Sequence, residues 1–125
     1  MTPHTILIVE DEPLIAMMLE DFLLSQGHKV RGPCESVAEG LAAVAADDFD
    51  LAILDVNLKG ESVWPVAAAL RAKDIPFVLA SGGHVEAPPA EFANTPMIEK
   101  PYTIDRVLPV IRDALGGASN KEIIA

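Results

Sequence analysis

Short apolar runs alternate along this chain with longer segments of helical periodicity. The runs cover residues 5–9, 29–34, 50–54, 77–80 and 97–98. Residues 6–9 and 51–54 are continuously apolar rather than alternating, which is typical of strands that are covered on both faces in a parallel sheet. The pattern therefore predicts five strands, of which two are fully buried.

The segments between these runs carry apolar residues at helical spacing. Ser36 with Glu39 forms a capping box that opens the second helix. Pro65 is compatible with the third helix because it falls in the first turn. Met17 and Met18 in the first helix are expected to fill the core. In the last helix one stripe would be buried, formed by Ile104, Val107, Leu108, Ile111, Ala114 and Leu115.

This alternation predicts an α/β fold. Right-handed crossovers would give one doubly wound, five-stranded parallel sheet of flavodoxin-like order, with helices on both faces. Since no composition shift marks a linker, we expect one domain over residues 1–116 and a short C-terminal tail over 117–125. Three prolines, Pro88, Pro89 and Pro96, limit any helix between residues 85 and 96 to a short one that is easily disordered.

Composition narrows the class of protein. The chain has 125 residues and a net charge of −10, so phosphate-rich partners are repelled and a nucleic-acid partner is not expected. The sequence shows neither a secretory signal nor an apolar run of about 20 residues, which predicts a cytoplasmic protein without a membrane span. The single cysteine, Cys34, excludes an internal disulfide, and we expect it to be a small buried residue.

Polar residues follow four of the five predicted strands. In open α/β sheets, ligands bind outside the carboxyl ends of the strands. Glu12 is expected to be a solvated acid in the first helical turn. The residues that would meet at this rim are Glu10 and Asp11 after the first strand, Asp55 at the third, Ser81 at the fourth and Lys100 after the fifth.

These side chains permit a narrow range of chemistry. Glu10, Asp11 and Asp55 would repel one another, and a divalent cation relieves that repulsion. Oxygen-only ligands with open positions for water and phosphate favour Mg²⁺. A carboxylate beside such a metal can act as the nucleophile toward a phosphoryl group and form an acyl phosphate. Ser81 and Lys100 would neutralise the oxygens of the transferred group.

Four motifs at these strand ends resemble those of the receiver domains of two-component response regulators. They are Ile-Leu-Ile-Val-Glu-Asp-Glu at 6–12, Leu-Asp-Val-Asn at 54–57, Leu-Ala-Ser-Gly at 79–82 and Glu-Lys-Pro-Tyr at 99–102. The resemblance covers residues 5 to about 115. It implies that Asp55 is the phosphoacceptor and that Asp11 binds Mg²⁺ directly. By the same resemblance Glu10 reaches the metal through water, and Asn57 lends its backbone carbonyl.

The resemblance also implies a switch region. Ser81 takes the place of the switch hydroxyl and Lys100 that of the lysine that pairs with the phosphate. Met97 stands where the family usually has an aromatic switch residue. Residues 76–84 are similar to the Pro-Phe-x-Phe-Ala-Thr-Gly-Tyr signature of a receiver subgroup, with His84 near the expected tyrosine. That subgroup often pairs with HWE-type histidine kinases, so such a kinase is one candidate partner.

The function expected from these observations is that of a single-domain response regulator. Asp55 would accept a phosphoryl group from a sensor histidine kinase in a Mg²⁺-dependent step. The protein would then signal through contact with a downstream protein or pass the phosphate to a phosphotransfer protein, and it would not be an enzyme in the usual sense. Two alternatives stay open, a degenerate receiver that acts only as a docking module and an aspartate-nucleophile phosphohydrolase. The latter needs a second acid where Asn57 stands.

Overall fold

One parallel sheet organises the chain in this computed structural model, which describes residues 4–58, 60–81, 89–92, 95–99 and 109–114. The strands within the described residues are β1 (Thr5–Val9), β2 (Lys29–Cys34), β3 (Leu51–Asp55), β4 (Asn57–Leu58), β5 (Glu61–Ser62), β6 (Phe77–Ser81) and β7 (Met97–Glu99). Five of them form a sheet of order β2-β1-β3-β6-β7, in which all neighbours are parallel. This order confirms the expected doubly wound α/β fold.

The second and third helices begin where the sequence indicated, whereas the start of the last helix and its predicted stripe residues Ile104, Val107, Leu108 and Leu115 lie outside the described residues. The helices are α1 (Pro13–Ser25), α2 (Val37–Ala46) and α3 (Trp64–Ala72), and residues 109–114 are also helical. The capping box is confirmed, since the Ser36 hydroxyl accepts a hydrogen bond from the Glu39 N–H at 3.2 Å. Pro65 lies in the first turn of α3. Over the described part of the chain, no helix is both long and apolar enough to cross a bilayer.

The core lies on both faces of the sheet. One face packs against α2 and α3, and the other packs against α1 and the 109–114 helix. The apolar residues of β1 and β3 from 6 to 9 and from 51 to 54 are almost completely buried. Each Leu, Ile or Val side chain among them contributes about 1.5–3 kcal/mol through removal of its surface from water. The continuous apolar runs therefore mark the two central strands, as expected.

Two features of this fold differ from the sequence-based picture. Met17 and Met18 were expected in the core, but their side chains are 55% and 42% exposed. Helix α1 instead buries a face that carries Ala16, Leu19 and Leu23. Strands β4 and β5 form a two-stranded antiparallel hairpin that periodicity did not predict. The apolar residues of α1 thus divide between the core and the surface.

The proline-containing region between residues 85 and 96 is described only in part. A single 3₁₀ turn, Ala90–Phe92, lies there, consistent with the expectation of a short helix at most. Phe92 is 1% exposed and belongs to the core, which the sequence did not indicate. The domain boundary at residue 116 and the tail over 117–125 fall outside the described residues and stay predictions.

Candidate functional site

The acidic residues meet because β1 and β3 are paired in parallel register. Val9, the last residue of β1, pairs with Leu54. The next residue along each strand is Glu10 and Asp55, so the two carboxylates stand side by side at the carboxyl edge of the sheet. Asp11 follows immediately, before α1 begins. Strand register therefore builds the site that the sequence indicated.

The geometry of this acidic cluster is tight. One carboxylate oxygen from each of Glu10, Asp11 and Asp55 lies within 4.8 Å of the others. Glu10 and Asp55 are buried, whereas Asp11 is half-buried. The Glu10 carboxylate accepts a hydrogen bond from the Glu12 N–H at 3.2 Å, and the Glu10 N–H donates to the Cys34 carbonyl at 2.8 Å. Glu10 is thus held through both its side chain and its backbone.

The donor set of the cluster fits a hard divalent cation. All three candidate ligands are carboxylate oxygens, the donors that Mg²⁺, Mn²⁺ and Ca²⁺ prefer. Among the described residues, no other group of three or more His, Cys, Asp or Glu side chains converges in this way. Three carboxylates this close repel one another, and a cation offsets that repulsion. Glu12, by contrast, is exposed, as the sequence predicted.

The β4–β5 hairpin fixes the backbone directly after Asp55. Leu58 and Val63 are fully buried, and the Val63 N–H donates to the Val56 carbonyl at 3.3 Å. The hairpin therefore closes the loop between β3 and α3 and packs it onto the core. Asn57 is its first residue, so the Asn57 backbone stays close to Asp55 in the chain.

The other predicted site residues are placed only through the backbone or lie outside the described residues. Ser81 is the last residue of β6 and Met97 the first residue of β7, which pairs with β6. The side chains of Ser81, Met97 and Asn57 are not among those described. Lys100 and His84 lie wholly outside the described residues. The roles of these five residues stay predictions.

An aromatic cluster between α3 and the 3₁₀ turn was not foreseen. Trp64 stacks on Phe92 with ring centroids 5.5 Å apart and an interplanar angle of 11°. The Phe77 ring meets the Phe92 ring edge-on, with centroids 6.1 Å apart. The Arg71 guanidinium lies 4.6 Å from the centroid of the Phe92 ring. We call Trp64, Arg71, Phe77 and Phe92 the aromatic clasp. The only sequence signal for this cluster is that the chain has few aromatic residues, six in all, and three of them lie in the clasp.

Two further titratable groups do not belong to the acidic cluster, although Cys34 ends the strand beside it. Burial, and secondarily the charge of Glu39, raises the pKa of the Cys34 thiol, which keeps it protonated. At the opposite end of β1, the buried His28 Nδ1 accepts a hydrogen bond from the His4 N–H at 3.2 Å. Burial, and secondarily His4, lowers the pKa of His28.

Comparison with known proteins adds independent findings. The family model for the response regulator receiver domain matches residues 6–112 of the chain. SdrG from Sphingomonas melonis Fr1 has a solution structure with a TM-score of 0.83 and 49% sequence identity, and the match covers 92% of this chain and 99% of that one. The crystal structure of the response regulator PhyR from Brucella abortus gives a TM-score of 0.82 at 27% identity, covering 98% of this chain and 52% of that one.

Curated relatives are longer than this chain. The nitrogen assimilation regulatory protein NtrX from Azorhizobium caulinodans is 32% identical over 120 residues, which cover 90% of this chain and 26% of that protein. Across the curated relatives it matches, the chain spans about a quarter to a half of their length. The likeness therefore concerns one part of those longer proteins.

Proposed function

The chain belongs to the response regulator receiver domain family, and from that premise we propose that it accepts a phosphoryl group on Asp55 and signals through the change that follows. Receiver domains act as signalling modules, are phosphorylated by histidine kinases and bind Mg²⁺ at an acidic pocket. One observation carries the proposal for this chain. Asp55 ends a buried central strand with oxygens of Glu10 and Asp11 within 4.8 Å.

In the proposed reaction, a carboxylate oxygen of Asp55 attacks the phosphorus atom of a kinase phosphohistidine. The new P–O bond forms as the P–N bond breaks, and the electron pair returns to the imidazole nitrogen, which takes a proton from water. Mg²⁺ bound by the acidic cluster would neutralise the oxygens of the transferred group. Ser81 and Lys100, in their predicted roles, bind the remaining charge.

Positioning is the main contribution of the fold to this step. Asp55 is buried and belongs to a strand that is covered on both faces, so its backbone has little freedom. The β4–β5 hairpin restrains the chain on the other side of Asp55 through the buried side chains of Leu58 and Val63. Such restraint supports catalysis, because small displacements of a nucleophile cost large factors in rate.

We further propose that the kinase contacts the exposed apolar face at the start of α1. Leu14 is 80% exposed, and Met17 and Met18 follow it at helical spacing and are also exposed. This face begins only three residues after Asp11. A protein that covers it would place its own phosphohistidine close to the acidic cluster. Burying three such side chains supplies binding energy that a small phosphodonor does not need.

Two phosphodonors test this contact. Leu14→Gln should slow phosphorylation by a kinase about tenfold or more and leave phosphorylation by acetyl phosphate unchanged. Leu24→Gln is the matched control, since Leu24 is 53% exposed near the other end of α1, about 15 Å away along the helix axis. Equal loss of phosphorylation with both donors would show that Leu14 acts on the site itself and would contradict a docking role.

For the output and the partners, we propose what the resemblance to receiver domains implies. The phosphorylated protein would signal by contact with a downstream protein or by relay to a phosphotransfer protein, and the kinase would be of the HWE type. We place this exchange in the cytoplasm. Phosphotransfer measured against each histidine kinase of the source cell would identify the partner, and failure of every HWE-type kinase would contradict that assignment.

Intact-mass measurement tests the phosphorylation site. Acetyl phosphate with Mg²⁺ should add one phosphoryl group that hydroxylamine removes, and Asp55→Asn should add none. Glu12→Gln is the control, because Glu12 is an exposed acid beside the cluster but outside it. An undiminished phosphorylated peak in Asp55→Asn would refute the assignment. Multiple turnover of simple phosphoesters would instead support a hydrolase, and no phosphorylation by any donor would support a docking module.

A further inference from the structure

The β4–β5 hairpin is anchored to the core from both of its strands. Leu58 in β4 and Val63, directly after β5, are fully buried and pack into the core that α2 and α3 cover. Val56, which leads from β3 into the hairpin, is buried in the same core. Asn57 stands between Val56 and Leu58 in the chain. Its backbone is therefore held on both sides, two residues after Asp55.

The hydrogen bonds of the hairpin determine which way the backbone of Asn57 faces. Strands β4 and β5 pair antiparallel, with Asn57 opposite Ser62. The neighbouring pair is hydrogen-bonded, since the Val63 N–H donates to the Val56 carbonyl at 3.3 Å. Hydrogen-bonded and non-hydrogen-bonded pairs alternate along an antiparallel ladder, so Asn57 and Ser62 form a non-hydrogen-bonded pair. The Asn57 carbonyl therefore points away from β5 and is not bonded across the hairpin.

The turn of the hairpin depends on one glycine. Lys59 and Gly60 connect the two strands in the chain, and Gly60 is exposed and has a φ of 83°. Glycine adopts this conformation readily, whereas other residues are strained in it, and short hairpin loops commonly require it. A Cβ added at Gly60 would meet no atom of the described residues within 4 Å, apart from its chain neighbours. A substitution at Gly60 would therefore act through the backbone of the hairpin alone.

We propose that the β4–β5 hairpin fixes the position of the Asn57 carbonyl before a cation binds, and that Gly60 thereby sets the affinity of the site for Mg²⁺. The proposal rests on the proposed function, in which the acidic cluster binds Mg²⁺, and on the predicted role of the Asn57 carbonyl as a further ligand. Mg²⁺ demands near-ideal octahedral geometry, so it gains most from a ligand that is already in place. If the turn is strained, only a fraction of the molecules hold the carbonyl in place, and the apparent affinity falls by that fraction. Gly60 is a positioning residue, because it acts through the backbone of Asn57.

Calorimetric titration of two matched glycine variants with Mg²⁺ tests this positioning. Gly60→Ala places a Cβ at a φ of 83° and should raise the dissociation constant for Mg²⁺ about threefold or more. Gly27→Ala is the control, because Gly27 has a φ of 87° and its added Cβ would likewise meet no atom of the described residues within 4 Å. Gly27 precedes β2 at the amino edge of the sheet, opposite the acidic cluster. The Gly27→Ala variant carries the same backbone strain and should bind Mg²⁺ as wild type does.

Hydrogen exchange in EDTA separates positioning from a general loss of stability. Relative to the Ala52 N–H in β3, the Val63 N–H should be protected in wild type and in Gly27→Ala, and less protected in Gly60→Ala. A second pair of variants acts on the core instead of the turn. Val63→Ala shortens an anchor of the hairpin and should weaken Mg²⁺ binding, whereas Val66→Ala, at an equally buried position in α3, should leave it unchanged.

The outcomes separate this inference from the function it rests on. Equal affinity of Gly60→Ala and Gly27→Ala for Mg²⁺ would overturn the positioning role alone, because the acidic cluster would still bind the cation. A Val63 N–H that exchanges in EDTA as fast in wild type as in Gly60→Ala would also overturn it, since the hairpin would then not be formed before the cation binds. Absence of Mg²⁺ binding in wild type would overturn the positioning role and the Mg²⁺-dependent function together.

Discussion

Replacing Asp11 with asparagine should have opposite effects on stability with and without Mg²⁺. Without the cation, the substitution removes one of three crowded negative charges and should raise the free energy of unfolding. With the cation, it removes a ligand, so the variant should gain less from binding than wild type does. We therefore expect the order of stability of the two proteins to reverse when Mg²⁺ is added.

The magnitudes follow from the geometry of the acidic cluster. These oxygens lie within 4.8 Å of one another, and two unit charges at that limit repel by about 3.5 kcal/mol at an effective dielectric constant of about 20. Asp11 is half-buried and screened by solvent, so we expect a gain of about 1 kcal/mol without Mg²⁺. Mg²⁺ at about 100 times the wild-type dissociation constant stabilises wild type by about 2.7 kcal/mol. If Asp11→Asn binds Mg²⁺ about 100-fold more weakly, the same concentration stabilises the variant by only about 0.4 kcal/mol.

Urea unfolding followed by far-ultraviolet circular dichroism measures this reversal. Asp11→Asn should be more stable than wild type by about 1 kcal/mol in EDTA and less stable by a similar amount in Mg²⁺. Glu12→Gln is the control, because it loses the same charge from the next residue, which lies outside the cluster. It should keep the full stabilisation by Mg²⁺. The reasoning is refuted if Asp11→Asn ranks on the same side of wild type in both solutions.

Further predictions concern regions away from the acidic cluster. Lowering the pH from about 7 to about 5.5 should reduce the free energy of unfolding, because the folded protein lowers the pKa of His28 and the unfolded chain takes up that proton first. The free energy of unfolding is therefore unaffected by His28 above about pH 6.5 and decreases as the pH falls from there toward the folded-state pKa of His28. In urea titrations, the free energy of unfolding of His28→Gln should depend less steeply on pH than that of wild type. Gly32→Ala should cost more than about 2 kcal/mol, since its Cβ would lie 2.6 Å from the Ile8 carbonyl oxygen at a φ of 91°. Gly27→Ala is the control, because Gly27 has a φ of 87° but no atom close to the added Cβ, so that variant loses stability only through backbone strain. An equal loss of stability in both variants would show that the close approach to the Ile8 carbonyl costs nothing.

The central strands and the acidic cluster could be predicted from the sequence because both depend on local composition. A strand buried on both faces needs apolar residues at every position, and β1 and β3 have them. The topology rule then places residues that follow these strands at one edge, which brought Glu10, Asp11 and Asp55 together. The Ser36 cap is likewise a local signal.

The rest could not be predicted because it depends on tertiary contacts. Each strand of the β4–β5 hairpin has two residues, too few to show any periodicity. Helix α1 carries more apolar residues than one face can bury, so the sequence could not tell Leu19, which is buried, from Met17 and Met18, which are exposed. Phe92 stands among prolines that indicate irregular structure, and its contacts with Trp64 and Phe77, which are distant in sequence, place it in the core.

The acidic residues at the ends of β1 and β3 also affect the register in which these two strands pair. A strand with one polar face cannot slip by one residue without turning its apolar side chains to water, but β1 and β3 are apolar on both faces and lack that safeguard. A slip at this pair would instead move the carboxylate of Glu10 or Asp55 from the carboxyl edge of the sheet, where the acidic cluster lies, into an apolar stretch of strand that offers its charge no partner. At the other end, the Thr5 N–H donates to the Asp50 carboxylate at 2.8 Å and the Asp50 N–H donates to the Thr5 carbonyl at 2.7 Å. Charged residues thus lie at both ends of the paired strands β1 and β3. The groups proposed for phosphoryl chemistry therefore also disfavour sheets in which these two strands pair in a shifted register.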